Sequence, residues 1–191
     1  VTFTDGTEMT AEDVAYSMKR MLEMEAGYSS FFLSYLNPED VTARDEQTVE
    51  FAFNQAYGPA LAMLVQFYIV NSEVVKQNEQ DGDYGNAYLQ DNSAGSGAYV
   101  LDEWEQGNSI STSAYEDYWK GWDEGSFDTF RSTVITEQST IVNTMREGGG
   151  DMTDQYMGTQ AYEEMASFSN VRVPEVPQLQ LFHLPINTQK A

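Results

Sequence analysis

The stretch Val1–Leu22, VTFTDGTEMTAEDVAYSMKRML, decides how this chain starts to fold. Its first four residues alternate between apolar and polar side chains, which predicts a short strand, and the Asp5-Gly6 pair predicts the turn that follows. Thr10 is typical of a helix N-cap, and an acidic residue stands three positions later, as in a capping box. Apolar side chains then recur at helical spacing, so we expect a helix with one buried face.

Beyond this helix the sequence is typical of short strands, turns and short helices as far as residue 122. Residues 48–53 alternate cleanly and predict a half-buried strand. Residues 98–104 and 109–115 predict a hairpin around a polar turn. We therefore predict that residues 1–122 form a smaller subdomain with an antiparallel sheet and flanking helices.

From residue 123 onward the rhythm changes to strands that alternate with helices. Helices are predicted to begin at Ser139 and Thr159, and strands are predicted at residues 127–135, 151–152, 171–173 and 179–186. Such alternation is typical of βαβ units. The prediction is an α/β fold in which residues 123–191 belong to a mixed sheet with flanking helices.

Composition indicates a folded domain and excludes several classes of protein. Of 191 residues, 41% are hydrophobic and 13% aromatic, whereas disordered chains are poor in aromatic residues. No apolar run is long enough for a membrane helix, and cysteine is absent, which rules out disulfides and thiolate metal sites. Both ends fall inside or next to predicted strands, so we expect an incomplete chain.

The net charge is −22, with 31 acidic residues against 9 basic ones. Phosphate binding needs clustered Lys and Arg, so nucleic acid is not expected as a partner. The acidic residues are spread along the chain in pairs, and such a surface repels itself in dilute buffer and is screened in molar salt. We expect a protein from a salt-loving organism; an ordinary acidic secreted protein is the alternative.

The residues that could support chemistry give no coherent active site. His183 is the only histidine, and neither a G-x-S-x-G elbow nor a cysteine accompanies it. The stretch Asp81–Asn86 departs from the spacing of a calcium loop, and carboxylate pairs are inevitable by chance among 31 acids. We predict no catalytic residue, no metal site and no cofactor.

Five motifs in order resemble those of one family, the extracellular solute-binding proteins of the dipeptide, oligopeptide and nickel type, family 5. They are FTDGTEMTAEDVAYS at 3–17, TVEF at 48–51 with Asp45 before it, GSGAYVL at 95–101, YWKG at 118–121 and NTQKA at 187–191. Ala98 stands where the family has Pro, and the glycines at 148–150 are more numerous than the single glycine usual there.

The resemblance implies a fold and a function. The expected fold is part of the first lobe of a type II periplasmic-binding protein, with residues 1–122 as its smaller subdomain and 123–191 as part of its hinge-proximal, mixed-sheet subdomain. Such proteins capture a solute, here expected to be a peptide, between two lobes and deliver it to the permease of an ABC importer. The resemblance therefore implies an extracellular or periplasmic protein that is not an enzyme, held at the membrane by a lipid anchor outside this stretch.

The resemblance also indicates where a ligand would touch this lobe. It implies that the final strand runs toward the hinge and carries aromatic residues beside the cleft, which Phe182 and His183 match. Ser96 and Gly97 are expected near the same opening, where the serine hydroxyl would be offered to the ligand. The competing interpretation makes Phe182 a core residue and His183 a structural one.

Two other classes of function stay open at this point. One is an extracellular hydrolase that uses carboxylates, which would turn over a peptide or glycoside and lose activity with a single acidic residue. The other is a surface interaction protein, which would show no ligand-dependent thermal shift.

Overall fold

The computed structural model describes residues 1–154 and 156–177, which form two compact units. The first unit is Val1–Val134 and the second begins at Ile135. The predicted subdomain boundary at 122/123 falls earlier in the chain, inside the first unit. Each unit is described by itself.

Helix α1, Ala11–Glu23, forms where the sequence predicts it and for the predicted reason. The backbone N–H and the hydroxyl of Thr10 each donate to Asp13 Oδ2 at 2.8 Å. The side chain of Asp13 therefore accepts the hydrogen bond of the N-cap backbone N–H, as in a capping box. The helix ends just before Glu25 and Gly27, which both have positive φ. Its apolar face is buried in the main core, which contains Ala15, Met18, Leu22, Phe32, Leu36 and Val41.

A two-stranded antiparallel sheet packs against α1. Strand β1, Val41–Ala43, pairs with β2, Val49–Phe51, so the predicted strand at 48–53 is confirmed in its central part. Helix α2, Ala60–Met63, continues into a 3₁₀ turn at Leu64–Gln66. Helix α3, Ser72–Gln77, follows and contacts α1.

A three-stranded antiparallel sheet completes the first unit. The predicted hairpin is confirmed as β3, Tyr99–Glu105, and β4, Ser109–Ala114, with a register shift between Leu101 and Glu103. Strand β5, Thr129–Thr133, pairs antiparallel with β4. The sequence analysis assigned this strand to the second part of the chain, but its backbone hydrogen bonds go to the hairpin.

The second unit contains a helix pair. Helix α4, Gln138–Glu147, ends at Gly148 in the left-handed conformation, as the glycine-rich stretch predicts. Helix α5, Thr159–Ala166, packs against it around Val142, Met145, Ala161 and Met165.

In the first unit, the strand predicted at residues 1–4 forms only an isolated bridge between Thr2 and Glu8.

Two strands predicted in the second unit are wrong, because residues 151–152 and 171–173 are irregular. A strand needs a neighbour to accept its backbone hydrogen bonds, and all the strand pairing in residues 1–154 and 156–177 is antiparallel and lies in the first unit. The predicted last strand, at 179–186, lies outside the described residues.

One glycine is fixed by both conformation and space, which makes a sharp test of packing between α3 and the loop after it. Gly85 has φ of +68°, and a Cβ there would lie 2.7 Å from Val75 Cγ1 and 3.1 Å from Val75 O. We expect Gly85→Ala to lower the free energy of unfolding by about 2–4 kcal/mol. Gly82→Ala is the matched control, since its φ is +76° with nothing within 4 Å, and it should cost about 1 kcal/mol. Equal losses in urea denaturation would contradict the close approach.

Candidate functional site

Asp13 ties the first helix to the segment before α3. Its Oδ1 accepts a hydrogen bond from Ser72 N at 2.9 Å, while its Oδ2 accepts the two from Thr10. Burial alone would raise the pKa of this carboxyl, but the backbone N–H groups of Ser72 and Thr10 outweigh it and hold the pKa below its ordinary value. The carboxylate of Asp13 therefore has a structural role.

Ser17 continues the same network one turn further along α1. Its hydroxyl donates to Asp13 O at 2.7 Å and accepts from Val70 N at 3.0 Å. The motif of residues 3–17 thus places polar side chains where they satisfy buried backbone groups of a segment that lies more than fifty positions away.

Asn71 joins the turn at the start of the chain to the same region. Its Nδ2 donates to Asp5 Oδ2 and to Thr7 Oγ1, both at 2.9 Å. Its Oδ1 accepts from the backbone N–H groups of Glu73 and Val74, which caps α3. Asn71 is buried, so this network holds its neighbours in one arrangement.

The network positions the segment that contains Ser96 and Gly97. The backbone N–H of Asn71 donates to Ala94 O at 2.7 Å, and that of Thr4 donates to Gly95 O at 3.0 Å. The indole N–H of Trp119 donates to Ser96 O at 3.1 Å. The backbone of residues 94–96 is thus held by partners from three distant parts of the first unit, and Gly97 follows directly after it.

The backbone conformation at position 97 does not require a glycine. Its φ lies outside the left-handed region, and the nearest atom to an added Cβ would be Tyr99 O at 4.0 Å. The segment bends here but makes no tight turn that requires glycine at position 97. A glycine in such a place leaves free space above the backbone, which is what close approach of a ligand requires.

Aromatic rings extend from this segment across the surface. Trp119 is partly exposed, and its ring centroid lies 5.7 Å from that of Tyr118. The Nζ atom of Lys120 lies 4.9 Å from the centroid of the Trp119 ring. Tyr118 lies 5.8 Å from Trp122. Trp122 helps to line a shallow concavity of about 310 Å³ that also includes Phe127. Ser96 and Gly97 therefore lie next to an aromatic surface, which suits small solutes.

The other two predicted ligand residues, Phe182 and His183, lie outside the described residues. The structure therefore brings together Ser96, Gly97 and Trp119, and the placement of the cleft on the final strand stays a prediction.

A charge-free segment was missed by the sequence analysis. No Asp, Glu, Lys or Arg occurs from Phe51 to Ser72, in a chain where 21% of residues are charged. Within it, Leu61, Val65 and Tyr68 are exposed although all three are large and apolar or aromatic. The run without charge in such an acidic sequence is a signal that could have found this surface.

The acidic loop at residues 81–86 has a structural role. Asp83 accepts hydrogen bonds from the backbone N–H groups of Ala87, Gln80 and Gly85, and these lower the pKa of its carboxyl. Among the residues that the structure describes, no three His, Cys, Asp or Glu side chains are grouped so as to hold a metal ion. Over the same residues, no helix has the length and hydropathy to span a membrane.

Comparison with known proteins gives matches along the whole chain. The family model described as bacterial extracellular solute-binding proteins, family 5 Middle, matches residues 1–191. The chain is 29% identical over 193 residues to a probable D,D-dipeptide-binding periplasmic protein of Escherichia coli, covering 99% of this chain and 36% of that protein. It is 23% identical over 203 residues to a dipeptide-binding protein of Bacillus subtilis, covering 98% of this chain and 36% of that one. The chain thus spans about a third of the length of these curated relatives.

Solved structures show the same fold. The oligopeptide-binding protein AppA of Bacillus subtilis, in complex with a nonapeptide, superposes with a TM-score of 0.71 at 20% identity, covering 89% of this chain and 33% of that one. The fold predicted from the sequence, part of an α/β lobe of the type II periplasmic-binding-protein kind, is confirmed by this likeness.

Proposed function

We propose, because this chain belongs to the bacterial extracellular solute-binding proteins, family 5, that the complete protein captures an extracellular solute and delivers it to an ABC importer. The observation that carries the proposal is the family match over all 191 residues. The solute is a peptide, in keeping with the dipeptide-binding relatives. The protein binds its solute without chemical change, works outside the cytoplasmic membrane, docks on the importer's permease subunits and is held at the membrane by a lipid anchor outside residues 1–191.

The two units fit a division of the first lobe. The smaller subdomain is residues 1–122 and the hinge-proximal subdomain includes residues 123–191; a division of the chain after Val134, twelve positions later, supports two parts. Ser96 and Gly97 contribute to the ligand cleft from the first unit, and Phe182 and His183 contribute from the final part of the chain. The support for Ser96 and Gly97 is the fixed backbone, the free space at the glycine and the neighbouring Trp119.

The function is tested with the complete protein. We expect mass spectrometry of the denatured protein to detect small peptides carried through purification. Calorimetry on ligand-stripped protein should show that such peptides bind with micromolar or tighter affinity and are recovered intact. Cleavage of the peptides would favour the hydrolase alternative, and no binding by any peptide would contradict the proposal.

Gly97→Leu tests the position of the cleft in the same protein. Free space at this glycine should let the variant fold with an unchanged melting temperature, while the added side chain blocks the ligand and weakens binding by about tenfold or more. Ser30→Leu places the same side chain at another exposed position and is expected to bind as the wild type does. Wild-type affinity in folded Gly97→Leu protein would remove this segment from the cleft.

A further inference from the structure

The dipeptide Asp-Gly occurs twice in this chain, at residues 5–6 and 81–82, and Asn-Gly does not occur. In an Asp-Gly pair the backbone nitrogen of the glycine can attack the side-chain carboxyl group of the aspartate, because glycine has no Cβ to hinder the approach. The attack gives a cyclic succinimide, which water opens to isoaspartate. The fold decides which pair reacts, since groups that are held in hydrogen bonds must first be released.

Asp81 and Gly82 lie at the tip of a tight turn. The backbone N–H of Asp83 donates to Gln80 O at 2.9 Å, and the two residues between them have φ of +51° and +76°. Two positive φ angles in the centre of a turn are typical of type I′. Asp81 and Gly82 are both exposed, and a Cβ added to Gly82 would meet no atom within 4 Å. The tip is therefore open to water and has space beside the glycine.

The two groups that would react at this tip have no hydrogen-bond partner among residues 1–154 and 156–177. Neither the carboxylate of Asp81 nor the backbone N–H of Gly82 bonds to any of these residues. The loop is held instead by Asp83, whose carboxylate accepts hydrogen bonds from three backbone N–H groups. The loop is thus fixed at its base, and its tip has no bond to break before the reaction.

The same dipeptide at residues 5–6 is held on both sides. Asp5 Oδ1 accepts from the backbone N–H and the hydroxyl of Thr7 at 2.9 and 2.7 Å, and its Oδ2 accepts from Asn71 Nδ2 at 2.9 Å. The backbone N–H of Gly6 donates to Phe3 O at 3.0 Å. Attack at this pair requires a local opening that breaks these bonds, and an anchored segment opens rarely.

We propose that Asp81 is a site of spontaneous covalent modification, at which the folded protein forms isoaspartate, whereas Asp5 is protected. The backbone nitrogen of Gly82 forms a bond to Cγ of the protonated Asp81 carboxyl group and loses its proton, and the carboxyl hydroxyl leaves with a proton as water. Water then opens the succinimide ring. Opening at Cγ restores aspartate, while opening at the main-chain carbonyl carbon leaves the chain running through Cγ, which is isoaspartate. The reaction consumes only the water that it released, so the product has the mass of the original chain.

The test uses the complete protein, kept folded for several weeks at neutral pH and warm temperature. Peptide mapping with electron-transfer fragmentation distinguishes isoaspartate from aspartate at both positions. We expect isoaspartate to form at least about tenfold faster at residue 81 than at residue 5, because only residue 5 must wait for local opening. In concentrated urea, where the fold no longer protects either pair, the two rates should become similar.

Two variants test the chemistry at the tip. Asp81→Glu keeps the charge, but its longer side chain would have to close a less favourable, six-membered ring, so the product at residue 81 should disappear while the rate at residue 5 stays the same. Asp81→Asn should react faster than the wild type, because an amide loses ammonia more readily than a carboxylate loses water. Both changes lie on an exposed tip, and melting curves confirm that the variants are folded.

Three results would overturn the inference. The first is an equal or faster rate at residue 5 in the folded protein. The second is a folded protein that forms isoaspartate at neither position although the unfolded protein forms it at both. The third is product in the peptide around residue 81 that persists in folded Asp81→Glu, because another residue would then be its source.

Discussion

Asp13→Ala is expected to lower the free energy of unfolding by about 3 kcal/mol or more. The carboxylate is buried and accepts hydrogen bonds from Ser72 N, Thr10 N and the Thr10 hydroxyl, so its removal leaves buried donors without partners. The variant also loses the capping box of α1. Urea denaturation followed by circular dichroism measures the change.

Two variants control for other effects. Glu12→Ala removes an exposed carboxylate one position earlier, whose only described ionic contact is Lys76 Nζ at 3.5 Å, and should cost less than about 1 kcal/mol. Asp13→Asn keeps one acceptor oxygen and should fall between the two. If Asp13→Ala costs no more than Glu12→Ala, the network around the first helix does not stabilise the fold.

The direction of the Asp13 pKa shift also sets a pH dependence. Because the folded-state pKa lies below the ordinary value, the ionised carboxylate stabilises the fold above the unfolded pKa of about 3.9. That contribution is lost as the pH falls through the lower, folded pKa. The difference in free energy of unfolding between the wild type and Asp13→Asn should therefore shrink as the pH falls through this acidic range. A difference that stays constant down to pH 2 would contradict the lowered pKa.

Molar salt is expected to raise the melting temperature by about 10 °C or more between 0.1 M and 3 M KCl. The Debye length falls from about 10 Å at 0.1 M to less than about 3 Å, which screens the repulsion among the 31 acidic residues. Salt also weakens ion pairs, but exposed pairs contribute little to stability, so their loss should lower the melting temperature only slightly. The described residues contain three such exposed pairs: Arg44–Glu50, Lys76–Glu12 and Arg146–Glu164. Scanning calorimetry across a salt series measures it.

A non-ionic osmolyte distinguishes screening from general solvent effects. Sucrose should give a much smaller rise, and Asp123→Asn/Glu124→Gln, which neutralises one exposed acidic pair, should raise the melting temperature in dilute buffer and reduce its dependence on salt. A melting temperature that stays flat or falls in KCl would refute the prediction of a salt-loving protein.

The sequence predicts best where a signal is local. The capping pattern of Thr10 and Asp13, the hairpin around residue 107 and the glycine that ends α4 all depend on neighbours within a few positions, and the structure has each of them. The charge-free segment is equally visible in the sequence, but its exposure is not. An apolar run reads the same whether its second side is packed or open.

The sequence predicts poorly where a strand depends on a distant partner. Strand β5 was assigned to the second part because alternation begins near it, but its partner β4 comes earlier in the chain. The strands expected at 151–152 and 171–173 have a plausible residue composition and no neighbour to pair with among the described residues. The contact of Trp119 with Ser96 was invisible for the same reason, because no spacing rule links positions so far apart.

The hydrogen bond from Thr4 to Gly95 has a consequence for the order of events in the cell. The partners of the first residues are made late: Asn71, which donates to Asp5, and Gly95, which accepts from Thr4, must emerge before the turn at Asp5 can be held in place. At synthesis rates of roughly 5–20 residues per second, the beginning of this stretch waits between about 5 and about 20 seconds for them. During that interval the turn at residues 3–7 has only its local hydrogen bonds, such as those from Phe3 N to Thr7 O and from Thr7 N to Asp5 Oδ1, and its long-range anchors form last.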